Sequence, residues 1–441
     1  MDRDLQAILL RDNPWLLDRG RLGGWLAARV PERYQHRRAA ETAWQRWGES
    51  DRAHLVIGPR QAGKSTLIWR YLAQHDQPAL YVDCEQTLAQ AWCRSAPLFL
   101  ADLESLMRQP VTLFFDEVQH LEQAGLFIKG LVDRKVGVPI LVTGSSSYHL
   151  GARTRESLAG RATRTRLLPF SFSEVCQDLA EQPEIIRSHL LVERFSRHVR
   201  YGGYPEIWLS ENPEPLLTEL VEAMILRDAS DLFRIGRPDA FRRLLQLLAG
   251  QIGQLVNLAE WAGILGIARD TVASYLEILE SGHVVATLPP FAGGKRAELT
   301  RQPKVYLIDN GIRHRLIHDF RPLEERTDRG PALESWVFTE LWKALPEGAT
   351  LHFWRSASGA EVDFVIARGE TLVGIEVKAQ ALARPKLTRS SRSFIEAYQP
   401  ATFFVLNTGL EHHEKLGATE VRWGAAAQVS EFVGGVFRGG G

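Results

Sequence analysis

The sequence predicts a multidomain α/β protein, in which a parallel-sheet core carries a helical lid and is followed by a compact helical unit and a second α/β domain. Three observations predict it. Between about 51 and 170, short apolar runs at 54–57, 79–82, 112–115 and 140–143 alternate with helical patterns, the signature of a parallel sheet with crossover helices. From about 171 to 245 helical periodicity replaces the strands, broken by the turn Tyr201-Gly-Gly-Tyr-Pro205. From 330 to 441 a helical opening leads into hairpin-like strands. The length, 441 residues, exceeds what one core usually supports.

Composition narrows the class. Hydrophobic residues at 45% and charged residues at 24% match ordinary soluble domains and exclude large-scale disorder. Lys+Arg and Asp+Glu both number 53, so no global field favours nucleic acid or an anionic membrane. Cys84, Cys93 and Cys176 form neither a disulfide framework nor a metal-spaced cluster, and free thiols suit a reducing compartment. No run of about 18 apolar residues and no signal-peptide pattern is present. The expectation is a cytoplasmic protein with no membrane partner.

Residues 1–50 read as an N-terminal helical segment, with Trp15, Leu16, Leu17, Leu22, Trp25 and Leu26 on one apolar stripe before an Arg-rich stretch. Residues 51–170 form the core. There Gly58-Pro59-Arg60-Gln61-Ala62-Gly63-Lys64-Ser65 follows a strand pattern and precedes a helical one beginning at Thr66. It fits G-x-x-x-x-G-K-[ST], in which glycines let successive N–H groups face phosphate oxygens, Lys64 reaches the β/γ-phosphates and Ser65 ligates Mg²⁺. A glycine turn at a strand end would explain the glycines but not the lysine and hydroxyl. The cofactors expected are therefore ATP and Mg²⁺.

The next run, Val111-Thr-Leu-Phe-Phe-Asp116-Glu117, is an apolar strand ending in two acids. Asp116 suits the magnesium shell, and Glu117 can orient and deprotonate an attacking water. A third strand runs into Thr143-Gly-Ser145-Ser-Ser, so Thr143 and Ser145 are candidates to sense the γ-phosphate. A serine-rich turn is the plain alternative.

These motifs, with Glu156-Ser-Leu-Ala-Gly-Arg161, Pro169-Phe-Ser-Phe-Ser-Glu174 and Gly202-Gly-Tyr204-Pro205-Glu206, occur in an order that resembles a large prokaryotic family of AAA+-type ATPases carrying a C-terminal domain of unknown function. The resemblance implies an AAA+ core with a lid at 171–245, Thr143 or Ser145 as first sensor, and Tyr204-Pro205 near the adenine. It also implies Arg161 as an arginine finger, which a neighbour would supply in a homo-oligomer. Arg153, Arg155, Arg164 and Arg166 share that segment, so a solvated basic face remains open for Arg161.

Within 246–329, a winged helix and its connector, Leu258 and Ala262 are expected on one helix, Gly266 in a turn, and Val272, Leu276 and Leu279 on the next, with 284–288 as the wing. The presumed recognition helix sets Arg269 against Asp270, Glu277 and Glu280, which leaves DNA binding and protein binding both open.

Residues 330–441 place Glu334 on a helix, Asp363 on one strand and Glu376 and Lys378 on the same face of the next. This constellation resembles the D-x(n)-E-x-K set of the restriction-endonuclease-like fold, in which Asp363 and Glu376 would bind Mg²⁺ and Lys378 would stabilise charge. A solvated amphipathic hairpin is the alternative. The function expected is an ATP hydrolase that engages or processes DNA. The alternative is a nucleotide switch controlling a protein partner, with the C-terminal domain as scaffold.

Overall fold

A computed structural model describes residues 2–106, 111–144, 158–224, 235–293 and 302–438. The chain forms two compact units, Met1–Pro169 with Ser281–His283, and Phe170–Glu280 with Val284–Gly441.

In the first unit, β1 (Ala53–Ile57), β2 (Ala79–Asp83), β3 (Thr112–Asp116), β4 (Ile140–Gly144) and β5 (Ala162–Arg166) form a sheet of order β2-β3-β4-β1-β5. Every pairing in it is parallel. Every residue of β3 and β4 is buried, as expected of strands covered on both faces. Period-two alternation sends Leu113 and Phe115 to one core, with Phe127 and Leu131, and Phe114 to the other, with Trp69 and Trp25.

The N-terminal segment covers that second face. Trp15, Leu22, Trp25 and Leu26 are buried there, whereas Leu17 lies outside the stripe expected of it and is 69% exposed. The strand β5 was not expected. Its sequence, Ala-Thr-Arg-Thr-Arg, has no apolar alternation, because among the described strands it lies at the sheet edge, paired to β1 and partly open to solvent.

The second unit begins at Phe170, within the motif that Pro169 opens. Ser171 and Glu174 close a capping box on the helix Phe172–Val175. The helix Glu184–Tyr201 ends at Gly202, with φ +75°, where a Cβ would lie 2.0 Å from Asp309 Oδ1. The N–H of Gly203 donates to Asp309 Oδ2 at 2.8 Å.

Helices Pro238–Gly250, Leu258–Leu265 and Arg269–Ser281 precede the antiparallel pair β6 (Val285–Leu288) and β7 (Lys304–Leu307). The turn falls at Gly266, φ +65°, as expected. The buried residues of the middle helix are Trp261 and Leu265 rather than Leu258 and Ala262. In the next helix Val272, Leu276 and Leu279 are buried with Tyr275, while Arg269, Asp270 and Ser274 are exposed.

The C-terminal sheet comprises β8 (Thr350–Arg355), β9 (Glu361–Arg368), β10 (Thr371–Val377), β11 (Thr402–Asn407), β12 (His412–Leu416) and β13 (Thr419–Ala425). Their order is β12-β13-β11-β10-β9-β8. The β9–β10 hairpin turns at Gly369, φ +56°, and β10 continues parallel to β11. Its interior, Val373 through Glu376, is buried.

Candidate functional site

Strand order assembles the phosphate site. Because β4 lies between β1 and β3, the loop after β1, Thr143 on β4 and Asp116 on β3 all emerge at one edge of the sheet. The loop returns tightly enough that only glycine fits at 58, where a Cβ would lie 1.9 Å from Leu167 O. Gln61 and Gly63 take positive φ, 58° and 89°, turning the backbone into the helix Lys64–Gln74.

Lys64 is 3% exposed, and its ammonium donates to Pro59 O at 3.0 Å and stands 3.5 Å from Glu117 Oε1. Ser65 Oγ donates to Asp116 Oδ1 at 2.7 Å. The Thr143 hydroxyl also donates to Asp116 Oδ1 and accepts the N–H of Glu117 at 2.9 Å. The Gln119 amide donates to the Glu117 carboxylate. Glu117 itself has φ +53°, a strained turn directly after the strand.

Charge states follow from these contacts. Burial raises the Asp116 carboxyl above its ordinary value, against the pull of the Ser65 and Thr143 hydroxyls and Lys64. For Glu117 burial acts upward too, but Lys64, Gln119, Arg60 and His120 outweigh it and hold the carboxyl below its ordinary value. Glu117 is thus held toward its carboxylate form beside the buried Lys64 ammonium. Ser65 and Asp116, already in contact, are a hydroxyl and carboxylate pair that fits a magnesium ion.

Two residues escaped the sequence reading. Tyr81 Oη donates to Asp116 Oδ2 at 3.2 Å from the neighbouring strand β2. Arg37, 5% exposed, donates from Nη1 to Ala62 O at 3.0 Å and from Nη2 to Leu168 O, tying the loop to the chain beyond β5. Neither belongs to a contiguous motif, and Arg37 was one arginine in an Arg-rich stretch.

Of the other residues singled out, Arg60 pairs with Glu85 at 3.0 Å, and Arg161 pairs with Asp133 of its own unit. Ser145 lies outside the described residues. Tyr204, 1% exposed, and Pro205, in the first turn of the helix Pro205–Leu209, belong to the second unit.

The second set gathers in the second unit. Asp363 Oδ2 accepts the N–H of Val377 at 2.7 Å. Glu376, 6% exposed, accepts from Lys378 Nζ at 2.5 Å and Ser391 Oγ at 3.1 Å. Glu334 accepts from Tyr306 Oη at 2.5 Å. Burial and the charges of Glu334 and Glu376 push the Asp363 carboxyl well above its ordinary value.

The sequence reading missed Lys304, which lies 2.6 Å from Glu361 Oε1 and 3.4 Å from Glu334 Oε1. Among the described residues no group of three or more His, Cys, Asp or Glu stands close enough together to hold a metal ion. With the Lys304 ammonium already set against Glu334 and Glu361, the set does not fit a divalent-cation site in this arrangement.

Residues 50–176 match the family model described as an AAA domain. Residues 192–323 and 329–423 match two domains of unknown function, DUF8612 and DUF4143. An uncharacterised protein of Mycobacterium tuberculosis is 29% identical over 373 residues, spanning 83% of this chain and 78% of the relative. One of Haemophilus influenzae is 24% identical over 345 residues, 75% of this chain and 83% of the relative. A solved Walker-type ATPase of Pyrococcus abyssi aligns with TM-score 0.44 and 15% identity, covering 65% of this chain and 97% of that one. Residues 50–176, which carry the phosphate loop, are therefore similar to an AAA-type P-loop domain. Among the described residues no helix is long and apolar enough to cross a membrane.

Proposed function

We propose that this chain is a magnesium-dependent ATP hydrolase that couples its nucleotide state to the engagement of DNA. The observation that carries the hydrolase reading is the contact of Ser65 with Asp116 at 2.7 Å beside the Lys64–Glu117 pair at 3.5 Å. Backbone N–H groups of residues 60–66 and the Lys64 ammonium would receive the phosphates. Ser65 and Asp116 would hold Mg²⁺, which supplies charge neutralisation on the transferring phosphoryl group. Glu117 would orient water and take its proton, while Thr143 fixes Asp116 and the backbone of Glu117 together.

Arg161 serves as an arginine finger in this reading only if a neighbouring copy presents it, after exchange from its pairing with Asp133. A homo-oligomer follows from that assignment. Steady-state ATP turnover tests the hydrolase. Lys64→Ala should abolish nucleotide binding and turnover together, and unchanged turnover would remove the assignment.

The DNA reading is supported by the exposed Arg269 and Ser274 on a helix preceding a strand pair, a winged-helix-like order. A restriction-endonuclease-like reading of the C-terminal sheet is supported by Asp363 on β9 and Glu376 on the adjoining β10, with Lys378 directly past the end of β10 rather than on the strand as expected. ATPase rates with single-stranded, duplex and branched DNA test the engagement. The Lys304 ion pairs weigh against Mg²⁺-dependent cleavage by this set; cleavage of DNA in Mg²⁺ by wild type but not by Asp363→Ala would establish the endonuclease, and equal cleavage by the two would refute it.

The second reading is a nucleotide switch acting on a protein partner with the C-terminal domain as scaffold; the Lys304 ion pairs are consistent with that scaffold role. On that reading DNA neither binds nor stimulates turnover.

A further inference from the structure

Among the described residues of the second unit, four carboxylates, Glu334, Glu361, Asp363 and Glu376, meet two lysines, Lys304 of β7 and Lys378 directly past the end of β10. Lys378 belongs to the expected constellation, but Lys304 comes from β7, the strand paired with β6. It is 4% exposed.

A buried ammonium is costly unless paired and hydrogen-bonded, and Lys304 is both. Glu361 Oε1 lies at 2.6 Å and Glu334 Oε1 at 3.4 Å, with the Phe353 ring 5.3 Å from the ammonium. Tyr306, two residues along the same strand, donates to the same Glu334 oxygen at 2.5 Å, so β7 grips Glu334 through two side chains. Arg355 stands 3.7 Å from the other Glu361 oxygen.

A magnesium ion needs carboxylate oxygens at about 2.0–2.1 Å, and two like charges close together in a poorly solvated site repel strongly. An ammonium already among the carboxylates therefore competes with a metal for the same oxygens.

We infer that Lys304 is the resident cation of this cluster, so that the centre is a metal-independent ion-pair clamp fastening β7 to the helix Arg329–Ala344 and to strand β9. The charge compensation that a divalent metal would supply comes from the chain itself. The inference does not depend on ATP hydrolysis, because its test uses no nucleotide.

Mn²⁺ is titrated into the nucleotide-free full-length chain, with free Mn²⁺ read by electron paramagnetic resonance. Wild type is expected to have no binding that Asp363→Asn removes. Lys304→Met is expected to gain about one Mn²⁺ per chain, lost again on adding Asp363→Asn, while the charge-keeping Lys304→Arg gains none. The melting temperature of Lys304→Met should fall in chelator and recover with Mn²⁺.

Wild type binding Mn²⁺ in an Asp363-dependent way would overturn the inference, as would a folded Lys304→Met that binds none. The wild-type measurement decides on its own if Lys304→Met does not fold.

Discussion

Ser65 and Asp116 are 51 positions apart in sequence, yet the Ser65 hydroxyl donates to the Asp116 carboxylate at 2.7 Å. The contact is made by topology. Ser65 opens the helix after β1, Asp116 closes β3, and β4 holds the two strands at the separation their side chains span. The account of the site rests on this pair, because the two groups that would share a magnesium ion are already in register.

Removing the carboxylate should therefore damage turnover more than binding. Asp116→Asn keeps the shape and loses the charge, and the expected result is a fall in the ATP hydrolysis rate of roughly 10²-fold or more. Nucleotide affinity measured without magnesium should change little.

Tyr81 supports the same carboxylate with one hydrogen bond at 3.2 Å. Tyr81→Phe should cost about 1 kcal/mol, roughly fivefold, at the step that needs Asp116 in position. A rise in the Mg²⁺ concentration for half-maximal rate, with folding unaffected, would identify it as a positioning residue.

Arg37 spans the loop carbonyl of Ala62 and that of Leu168 from a buried position. Arg37→Met leaves both carbonyls short of a donor, and the expected destabilisation is about 2–4 kcal/mol. Thermal unfolding checks this, and ATP KM should rise more than kcat falls, since the loop rather than Glu117 loses its tether.

The second unit should weaken in mild acid. His198 is buried, donates from Nε2 to Phe170 O at 3.0 Å and accepts the Trp336 indole N–H at 2.8 Å. Burial first, then the charge of Lys343, lowers its pKa to about 3. Burial and Arg326 do the same for His314, also to about 3.

The unfolded chain binds these protons near the ordinary 6.5 while the folded unit refuses them until about 3. Stability is then fully present above 6.5 and falls as pH drops through that window, by about 1 kcal/mol per pH unit for each histidine. Melting temperatures between pH 7.5 and 5 check it, and His198→Gln should flatten the slope.

Legibility in the sequence followed locality. Lys64, Ser65, Asp116 and Glu117 could be read because each belongs to a contiguous motif whose strand or helix context is itself visible, and Thr143 because it ends an apolar strand. Tyr81, Arg37 and Lys304 could not. Their roles depend on partners 35, 25 and 30 or more positions away, and nothing in their own neighbourhoods distinguishes them from a core tyrosine or a surface cation.

The strand β5 was hidden for a related reason. An edge strand does not need apolar alternation, so Ala-Thr-Arg-Thr-Arg carries no period to read. In the middle helix Trp261 and Leu265 carry the burial expected of Leu258 and Ala262, which are only half-buried.

The most direct measurement compares wild type with Glu117→Gln for ATP binding and steady-state ATP turnover in Mg²⁺. The substitution removes the proton acceptor and its charge beside Lys64 while keeping its size. The account predicts that ATP is still bound and that turnover falls by about 10²–10⁴-fold. Turnover within a few-fold of wild type in a variant that binds ATP normally would contradict it.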